Sequence, residues 1–136
     1  MNTDFTNLTT ENLSNEHLCC IIRSKKPHPG VEGNYLETSG TALFAYAVLK
    51  GVRLGYLPKR MAAWAEKAFY GTCDRYLSKN PDGSLQLDGI CLVAGLGGKD
   101  HRDGSLAYYF SEPVVCNDAK GVGPLVLAYT EMIARK

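Results

Sequence analysis

The clearest structural signal in the sequence is the stretch Met61-Ala-Ala-Trp-Ala-Glu-Lys-Ala-Phe69. Its larger apolar side chains recur at intervals of three and four residues, which places them on one face of an α-helix. The same pattern continues to Tyr76 and Leu77. Pro58 suits the first turn of this helix, and Asn80-Pro-Asp-Gly83 is typical of a chain reversal after it. The stretch therefore predicts an amphipathic helix that packs against a core.

Two further helices are predicted on either side of this stretch. The first starts near Thr38 or Ser39, either of which can cap the free amides, and Gly51 marks its C-terminal end. The last helix spans Gly121 to Arg135 and carries apolar residues on one face. No βαβ unit is evident between them. The sequence thus predicts a mainly α fold, built from helix pairs that are joined by long glycine-rich loops.

Residues 1–30 differ in character from the rest of the chain. Residues 1–16 are rich in Asn and Thr and have no apolar period, which is typical of a loosely docked tail. Lys25-Lys-Pro-His-Pro-Gly30 contains two prolines and a glycine, which disfavour regular structure. We therefore expect a polar tail and loop over residues 1–30 and one helical domain over residues 31–136.

The composition argues against several classes of partner. The chain has 136 residues, of which 45% are hydrophobic and 21% charged, with a net charge of +1, as in ordinary globular proteins. No basic stripe is present, so we expect no nucleic-acid partner. No apolar run approaches the roughly 20 residues that span a bilayer, and residues 1–16 lack the parts of a signal peptide. We expect no membrane partner and a cytoplasmic location.

The cysteines predict reduced, mostly buried thiols and neither a metal nor another cofactor. An odd number at irregular spacing is unlike a disulfide framework. Structural zinc sites commonly use C-x-x-C pairs, and the sequence contains none. The five cysteines are Cys19, Cys20, Cys73, Cys91 and Cys116.

A long segment from Ser84 to Asp118 carries the candidate functional residues. Glycines are frequent in it and polar residues stand between aromatic ones, whereas a simple connection is shorter. Within it, Gly95-Leu-Gly-Gly-Lys-Asp100 departs from the phosphate-binding and dinucleotide-binding glycine patterns. We interpret it as a tight turn that needs glycine for its backbone conformation.

A ligand-binding loop is predicted directly after this turn. The planar fork of Arg102 suits a ligand that bears a carboxylate. Tyrosines offer a face to a sugar ring and a hydroxyl group to its polar edge. The alternative is a surface ion pair between Arg102 and Asp103 above buried tyrosines. The predicted substrate-binding residues are Arg102, Asp103, Tyr108 and Tyr109.

The carboxylates of this segment do not identify a catalytic pair. Hydrolysis of a glycosidic bond needs two carboxyl groups that flank the bond, one of them with a raised pKa. The sequence fixes no distance between any two candidates, so we assign no catalytic residue. The candidates are Asp88, Asp103, Glu112 and Asp118.

A series of sequence blocks runs from Gly33 to the last helix. They are Gly33–Ser39, Ala45–Ala47, Lys50–Leu57, Asp88–Cys91, Val93–Gly98, Arg102–Ser105, Tyr108–Tyr109, Ser111–Val115, Asn117–Asp118 and Lys120–Pro124. In this order they resemble the unsaturated rhamnogalacturonyl hydrolases, which form glycoside hydrolase family 105 among the six-hairpin glycosidases. The resemblance covers the C-terminal portion of the family's chain.

The resemblance implies a fold and a reaction. The implied fold is part of an (α/α) toroid of six helical hairpins with the site in its central cleft. The implied reaction, in degradation of pectin fragments, hydrates the enol-ether double bond of an unsaturated galacturonyl residue, and rearrangement of the product releases the neighbouring sugar. An aspartate serves as general acid and base, without a metal.

That aspartate belongs to the earlier part of the family's chain, which has no counterpart here. We therefore expect a glycoside hydrolase-like portion that lacks the catalytic aspartate, is inactive alone, and has a uronic-acid-containing oligosaccharide as partner. The alternative is a non-catalytic sugar-binding or interaction module.

Helices taken from such a toroid leave apolar flanks without a neighbour. A twofold contact between two copies covers both flanks at once, so we expect a homodimer. The alternative is that residues 1–30 fold back over the flank. The flank residues are Met61, Trp64, Phe69 and Tyr76 on the second helix and Leu125, Val126, Leu127 and Tyr129 on the last.

Overall fold

The computed structural model describes residues 35–99 and 102–135, and it confirms a mainly α fold. The predicted polar tail at residues 1–30 lies outside the described residues. The helices are α1 (Thr38–Arg53), α2 (Ala62–Tyr76), α3 (Leu106–Ser111) and α4 (Ala119–Ile133), and a 3₁₀ turn, Lys59–Met61, precedes α2. The strands are β1 (Leu77–Lys79), β2 (Leu85–Leu87), β3 (Ile90–Cys91) and β4 (Val114–Val115).

Helix α1 is capped by Glu37. Its carboxylate accepts hydrogen bonds from the backbone N–H groups of Ser39 and Gly40, at 3.1 and 2.7 Å. Thr38 is the first helical residue, and its hydroxyl donates to the carbonyl oxygen of Asp88 at 2.5 Å. The prediction that Thr38 or Ser39 caps the helix is therefore wrong, because the two oxygens of one carboxylate reach both free amides.

The turn after α1 uses Gly55, not Gly51, as its left-handed residue. Gly55 has a φ of 79°, which suits glycine. Helix α1 continues past Gly51 to Arg53. Gly51 is a packing position instead, since a Cβ atom there would lie 2.9 Å from Cδ1 of Leu57. The chain then reverses, and α1 and α2 form a hairpin.

The directions of the long helices follow from contacts at their ends. Arg53, at the end of α1, pairs with Glu131, near the end of α4, at 2.6 Å. Arg135, just after α4, pairs with Glu66 in the first half of α2 at 3.2 Å. Helices α1 and α4 therefore run parallel, and α2 is antiparallel to both. Small buried residues let the three approach closely; they include Ala42, Ala45, Ala65, Ala68 and Ala128.

The segment between α2 and α4 folds over the N-terminal ends of α1 and α4. Strand β1 pairs antiparallel with β2 across the predicted turn, and β3 pairs antiparallel with β4. The N–H of Thr38 donates to the carbonyl of Gly89 at 2.8 Å. The Ile90 side chain packs on Gly121 of α4, where an added Cβ would meet Cδ1 of Ile90 at 2.5 Å. These contacts place the predicted loop at one end of the helix layer.

Helix α4 begins at Ala119, earlier than the predicted start at Gly121. Asp118 is its N-cap, and the carboxylate accepts a hydrogen bond from the N–H of Lys120 at 2.9 Å. Pro124 lies inside the helix. Two glycines and a proline near the start weaken the helical signal in the sequence, which explains the difference.

The apolar flanks differ from those expected. On α2, Phe69 is buried, and Trp64 and Tyr76 are half-buried against the core, as is Met61 in the 3₁₀ turn before it, so the expected flank on this helix is wrong. On α4, Leu125 is also buried. By contrast, 56% of Val126, 44% of Leu127 and 55% of Tyr129 are exposed. The exposed apolar flank is therefore the back of α4.

Among the described cysteines, Cys73, Cys91 and Cys116 are free thiols. Cys91 is buried, Cys73 is half-buried and Cys116 is exposed. The expectation that most thiols are buried is therefore wrong for Cys116. Within residues 35–99 and 102–135, no helix has the length and apolar character to cross a membrane.

Candidate functional site

Arg102 lies over a floor of glycines. Its backbone and that of Gly97 form an antiparallel bridge, with N–O distances of 2.8 and 3.2 Å. Its Nε donates to the Gly97 carbonyl oxygen at 2.9 Å. The guanidinium lies so close to two glycines that a Cβ on Gly95 would be 3.3 Å from Nη1, and one on Gly98 would be 2.8 Å from Nη2. The glycine turn predicted from sequence therefore holds a cationic side chain.

Asp103 shapes the turn that leads into α3. Its Oδ1 accepts a hydrogen bond from the N–H of Ser105 at 2.8 Å. Hydrogen bonds from the backbone and hydroxyl of Ser105 hold the pKa of Asp103 below its ordinary value. The Ser105 hydroxyl in turn accepts from the N–H of Tyr108 at 3.1 Å and caps α3. The described contacts of Asp103 are thus with Ser105, not with Arg102.

The Tyr108 hydroxyl interacts with the Glu112 carboxylate and with the Arg102 guanidinium. Tyr108 and Glu112 stand four residues apart, a spacing that places both side chains on one side of a helical turn. The hydroxyl oxygen is buried. Its hydrogen-bonding interaction with the Glu112 carboxylate, together with burial, raises the pKa of Tyr108, and the Arg102 guanidinium opposes that rise. We call Arg102, Tyr108 and Glu112 the polar trio.

Tyr109 belongs to a separate aromatic group. Its ring stacks on that of Tyr35 with centroids 5.4 Å apart and planes 6° apart. The ring of Phe110 meets it edge to face at 6.0 Å. Burial, with the Cys91 and Tyr109 side chains, raises the pKa of Tyr35. Both rings are half-buried, so this pair forms a neutral aromatic wall beside β3.

Glu37 connects β3 to α1. Besides capping the helix, its Oε1 accepts hydrogen bonds from the Ser39 hydroxyl at 2.6 Å and from the N–H of Cys91 at 3.2 Å. One carboxylate therefore fixes the start of α1 and the strand that leads into the Arg102 loop. This residue was not among the predicted site residues.

The start of α4 holds the other side of the loop. The Lys120 ammonium donates to the carbonyl oxygen of Leu92 and pairs with Asp118 at 3.4 Å. Asn117, with a φ of 55°, accepts from the N–H of Leu87 at 2.8 Å through its side chain. The carbonyl of Leu87 accepts the N–H of Asn117 in return at 2.9 Å. These bonds connect the start of α4 both to β2 and to the segment that follows β3. Together they support the loop.

Two carboxylates beside the loop, those of Asp103 and Asp118, are stabilised in their ionised form. Hydrogen bonds from Ser105 lower the pKa of Asp103, and those from Lys120 lower the pKa of Asp118. A general acid at neutral pH needs a raised pKa. Asp103 and Asp118 are therefore suited to hold backbone amides and poorly suited to donate a proton to substrate.

The structure brings together some of the predicted residues and separates others. Arg102 and Tyr108 meet in the polar trio, Tyr109 lies in the aromatic wall, and Asp103 faces solvent at the turn. The interaction of Glu112 with Tyr108 and the positioning of β3 by Glu37 were not predicted. The four-residue spacing from Tyr108 to Glu112 was a usable signal, whereas the contact of Glu37 with Cys91 joins residues 54 positions apart.

Comparison with known proteins identifies related chains. The family model for Glycosyl Hydrolase Family 88 matches residues 27–136. Protein Atu3128 of Agrobacterium fabrum and the 24.9 kDa protein in picA locus of Rhizobium radiobacter are each 46% identical over 110 residues. The match covers 76% of this chain and 47% of each relative, so the chain spans about half the length of these curated relatives.

Solved structures show the same fold. A family 105 glycoside hydrolase from C. acetobutylicum superposes with a TM-score of 0.74 at 50% identity, over 79% of this chain and 30% of that one. A possible member of the GH105 family from Klebsiella pneumoniae has a TM-score of 0.61 at 30% identity, over 82% and 25% of the two chains. Another, from Salmonella enterica, has a TM-score of 0.61 at 25% identity, over 89% and 30%.

Proposed function

The chain belongs to glycosyl hydrolase family 88 and is related to the solved family 105 enzymes, and from this premise we propose that its Arg102 loop binds a uronic-acid-containing saccharide. The loop belongs to the substrate-binding part of a glycoside hydrolase. The substrate class is an unsaturated galacturonyl saccharide of the kind released from pectin.

One observation carries this proposal, the placement of Arg102. A guanidinium held flat on glycine backbone, with its Nε bonded to Gly97, keeps its two outer nitrogens in a fixed plane. That geometry favours paired hydrogen bonds to a planar carboxylate.

We propose further that the Arg102 loop supplies binding groups and that neither Asp103 nor Asp118 is the proton donor. Asp103 and Asp118 have lowered pKa values and are committed to backbone amides. Without a positioned acid, proton transfer to the enol-ether carbon loses roughly a hundred- to ten-thousand-fold in rate. The 136-residue chain is therefore expected to bind the saccharide and leave it intact.

The test is a paired binding and activity measurement on purified chain. Ligand-observed NMR with an unsaturated galacturonyl–rhamnose disaccharide is expected to show binding, and the absorbance of its double bond is expected to persist. Arg102→Gln is expected to abolish binding. Arg60→Gln, an equivalent change at an exposed site within the 3₁₀ turn, is expected to keep it.

Two results count against the proposal. Absence of binding by the wild-type chain would remove the substrate-binding role. Turnover that is lost in Asp103→Asn or Asp88→Asn would show that the described residues include the catalyst.

A second candidate is a sugar-binding module with no enzymatic partner, with which the commitment of Asp103 and Asp118 to backbone amides is equally consistent. Adding a polypeptide that contains the remaining family domain separates the two candidates. Recovery of turnover supports the hydrolase, and unchanged binding without turnover supports the module.

A further inference from the structure

The outer face of α1 carries a second apolar stripe, which the described residues leave largely exposed. Its members recur at alternating intervals of three and four residues, the spacing with which a helix presents a seam to a neighbouring segment. On this face 53% of Leu43 and 46% of Leu54 are exposed. We call this stripe the α1 seam; its members are Gly40, Leu43, Ala47, Lys50 and Leu54.

The α1 seam lies opposite the face that α1 packs on α2 and α4. Helical periodicity places it on the far side from Ala45 and Leu49, which are fully buried. The ammonium of Lys50 donates to the Tyr46 hydroxyl at 2.6 Å and lies 5.1 Å from the centre of that ring. This contact holds the charge at the edge of the stripe. The centre of the α1 seam is therefore apolar, with Leu43 projecting from it, as in a surface that packs on another segment.

The chain itself holds a segment suited to this seam. Tyr35 directly precedes α1, so residues 1–34 join the molecule beside the start of that helix. They include Leu18-Cys-Cys-Ile-Ile22, a run of five apolar residues. The run lies before the region that matches the family model, which starts at residue 27. It is thus a feature of this chain that the family match does not cover.

The run is long enough and close enough to cover the α1 seam. From Gly40 to Leu54 the seam measures about 21 Å at the rise of an α-helix. Residues 23–35 separate the run from α1, and an extended segment of that length spans up to about 45 Å. The run can therefore reach every position on the seam.

The charges favour one direction. Helix α1 contains Lys50 and Arg53, both near its end, and no acidic residue. Glu16 precedes the apolar run by two positions. Since residues 23–35 tie the other end of the run to the start of α1, an antiparallel arrangement brings Glu16 toward Lys50, where opposite charges attract.

We propose that residues 18–22 pack on the α1 seam, antiparallel to α1, with Glu16 toward Lys50. Leu43 is the centre of this contact and is covered by Leu18 and Ile21. The contact goes beyond the proposed function, because it involves neither the Arg102 loop nor a saccharide.

Alkylation of an introduced thiol in the full 136-residue chain tests the contact. Leu43→Cys places a thiol on the α1 seam. Leu85→Cys is the matched control, at a residue 60% exposed on β2. Mass spectrometry of peptides after iodoacetamide treatment measures the reaction rate at each introduced thiol. The thiol of Leu43→Cys is expected to react roughly tenfold more slowly than that of Leu85→Cys, because a packed thiol reacts only on local opening.

A second substitution identifies the occupant. Ile21→Asp, added to Leu43→Cys, is expected to raise the rate at position 43 to that of Leu85→Cys, because burial of a carboxylate against apolar groups is costly. Leu8→Asp makes the same kind of change outside residues 18–22 and is expected to leave the slow rate unchanged.

Oxidation by diamide gives an independent measurement that does not depend on Ile21→Asp. A disulfide needs Cα atoms within about 7 Å. Leu43→Cys is therefore expected to form a disulfide with Cys19 or Cys20 of the same chain, and Leu85→Cys is expected to form none with them.

Three results overturn the proposal. Equal alkylation rates in Leu43→Cys and Leu85→Cys show that the α1 seam is uncovered. A slow rate that persists in Ile21→Asp shows that another segment covers it. A disulfide that joins position 43 of two chains assigns the seam to a second copy. None of these results affects saccharide binding at Arg102, so the proposed function stands or fails separately.

Discussion

Glu131 is a carboxylate that folding buries, with 5% of its surface exposed. The Arg53 guanidinium neutralises this buried charge and donates two hydrogen bonds to it, from Nε to Oε2 at 2.6 Å and from Nη2 to Oε1 at 2.8 Å. We expect Glu131→Gln to lower the free energy of unfolding by about 2 kcal/mol, because a charge-assisted pair becomes a poorly matched amide. Urea denaturation at neutral pH measures this change. Glu66→Gln, from the partly exposed pair with Arg135, is expected to change it little.

The same residue sets a pH dependence. Hydrogen bonding from Arg53 lowers the pKa of Glu131 below its ordinary value of 4.5. Its contribution to stability is therefore present above pH 4.5 and is lost as the pH falls through the lowered folded-state pKa. We expect the difference in free energy of unfolding between wild type and Glu131→Gln to shrink in acid. A difference that stays constant well below both pKa values would contradict the role given to the Arg53 pair.

Gly89 is constrained by its backbone and by its neighbours. Its φ is 77°, and an added Cβ would lie 2.5 Å from Oγ1 of Thr38 and 2.9 Å from the Tyr76 ring. Gly55 has a similar φ of 79° with no atom within 4 Å of such a Cβ. Gly55→Ala is thus expected to cost about 1–2 kcal/mol of backbone strain. Gly89→Ala is expected to cost about 2 kcal/mol more, through overpacking. Equal melting temperatures for the two variants would contradict this.

At the scale of elements, the link between α1 and β3 depends on Glu37. We expect Glu37→Ala to destabilise the fold by about 1–2 kcal/mol, as loss of a helix cap does. It is also expected to speed hydrogen exchange at the Cys91 amide, whose described acceptor is Glu37 at 3.2 Å. Glu37→Gln keeps an acceptor oxygen and is expected to retain part of the protection. Exchange at Cys91 that is unchanged in Glu37→Ala would show that β3 is held by other contacts.

The elements differ in how far sequence predicts them. Helix α2 was predictable because its apolar period is local and uninterrupted from Met61 to Phe69. The start of α4 was displaced because Gly121, Gly123 and Pro124 weaken the helical signal, while Gly121 is required by close contact with Ile90.

The site was predictable in residue type but not in arrangement. Arg102 and the adjacent tyrosines stood out by chemistry alone. The separation of Tyr108 from Tyr109 depends on α3, which directs Tyr108 toward Glu112 while Tyr109 stacks on Tyr35. No local pattern encodes that stack, because its two rings come from segments far apart in the chain.

At the scale of the whole molecule, the exposed back of α4 predicts association. Val126, Leu127 and Ile133 are 56%, 44% and 49% exposed there. The two charged side chains near that helix's ends, Lys120 and Glu131, are engaged by Asp118 and Arg53. Apolar patches of this kind commonly mark an interface. We propose a homodimer through this face, since a twofold contact buries the same patch on both copies.

Light scattering on the eluting protein tests the dimer. The wild-type chain is expected to show twice its monomer mass, and Val126→Glu is expected to shift it to the monomer. Tyr56→Glu, at a residue 80% exposed in the turn between α1 and α2, is the matched control and is expected to remain dimeric. A monomer mass for the wild-type chain at micromolar concentration would contradict the proposal.

The binding of a uronate saccharide at the Arg102 loop is tested most directly by diffraction from crystals of the chain soaked with the unsaturated galacturonyl–rhamnose disaccharide. The galacturonyl carboxylate is expected within hydrogen-bond distance of the outer nitrogens of Arg102. An ordered disaccharide bound elsewhere, with Arg102 still resting on Gly95 and Gly98 and no sugar against it, would contradict the assignment.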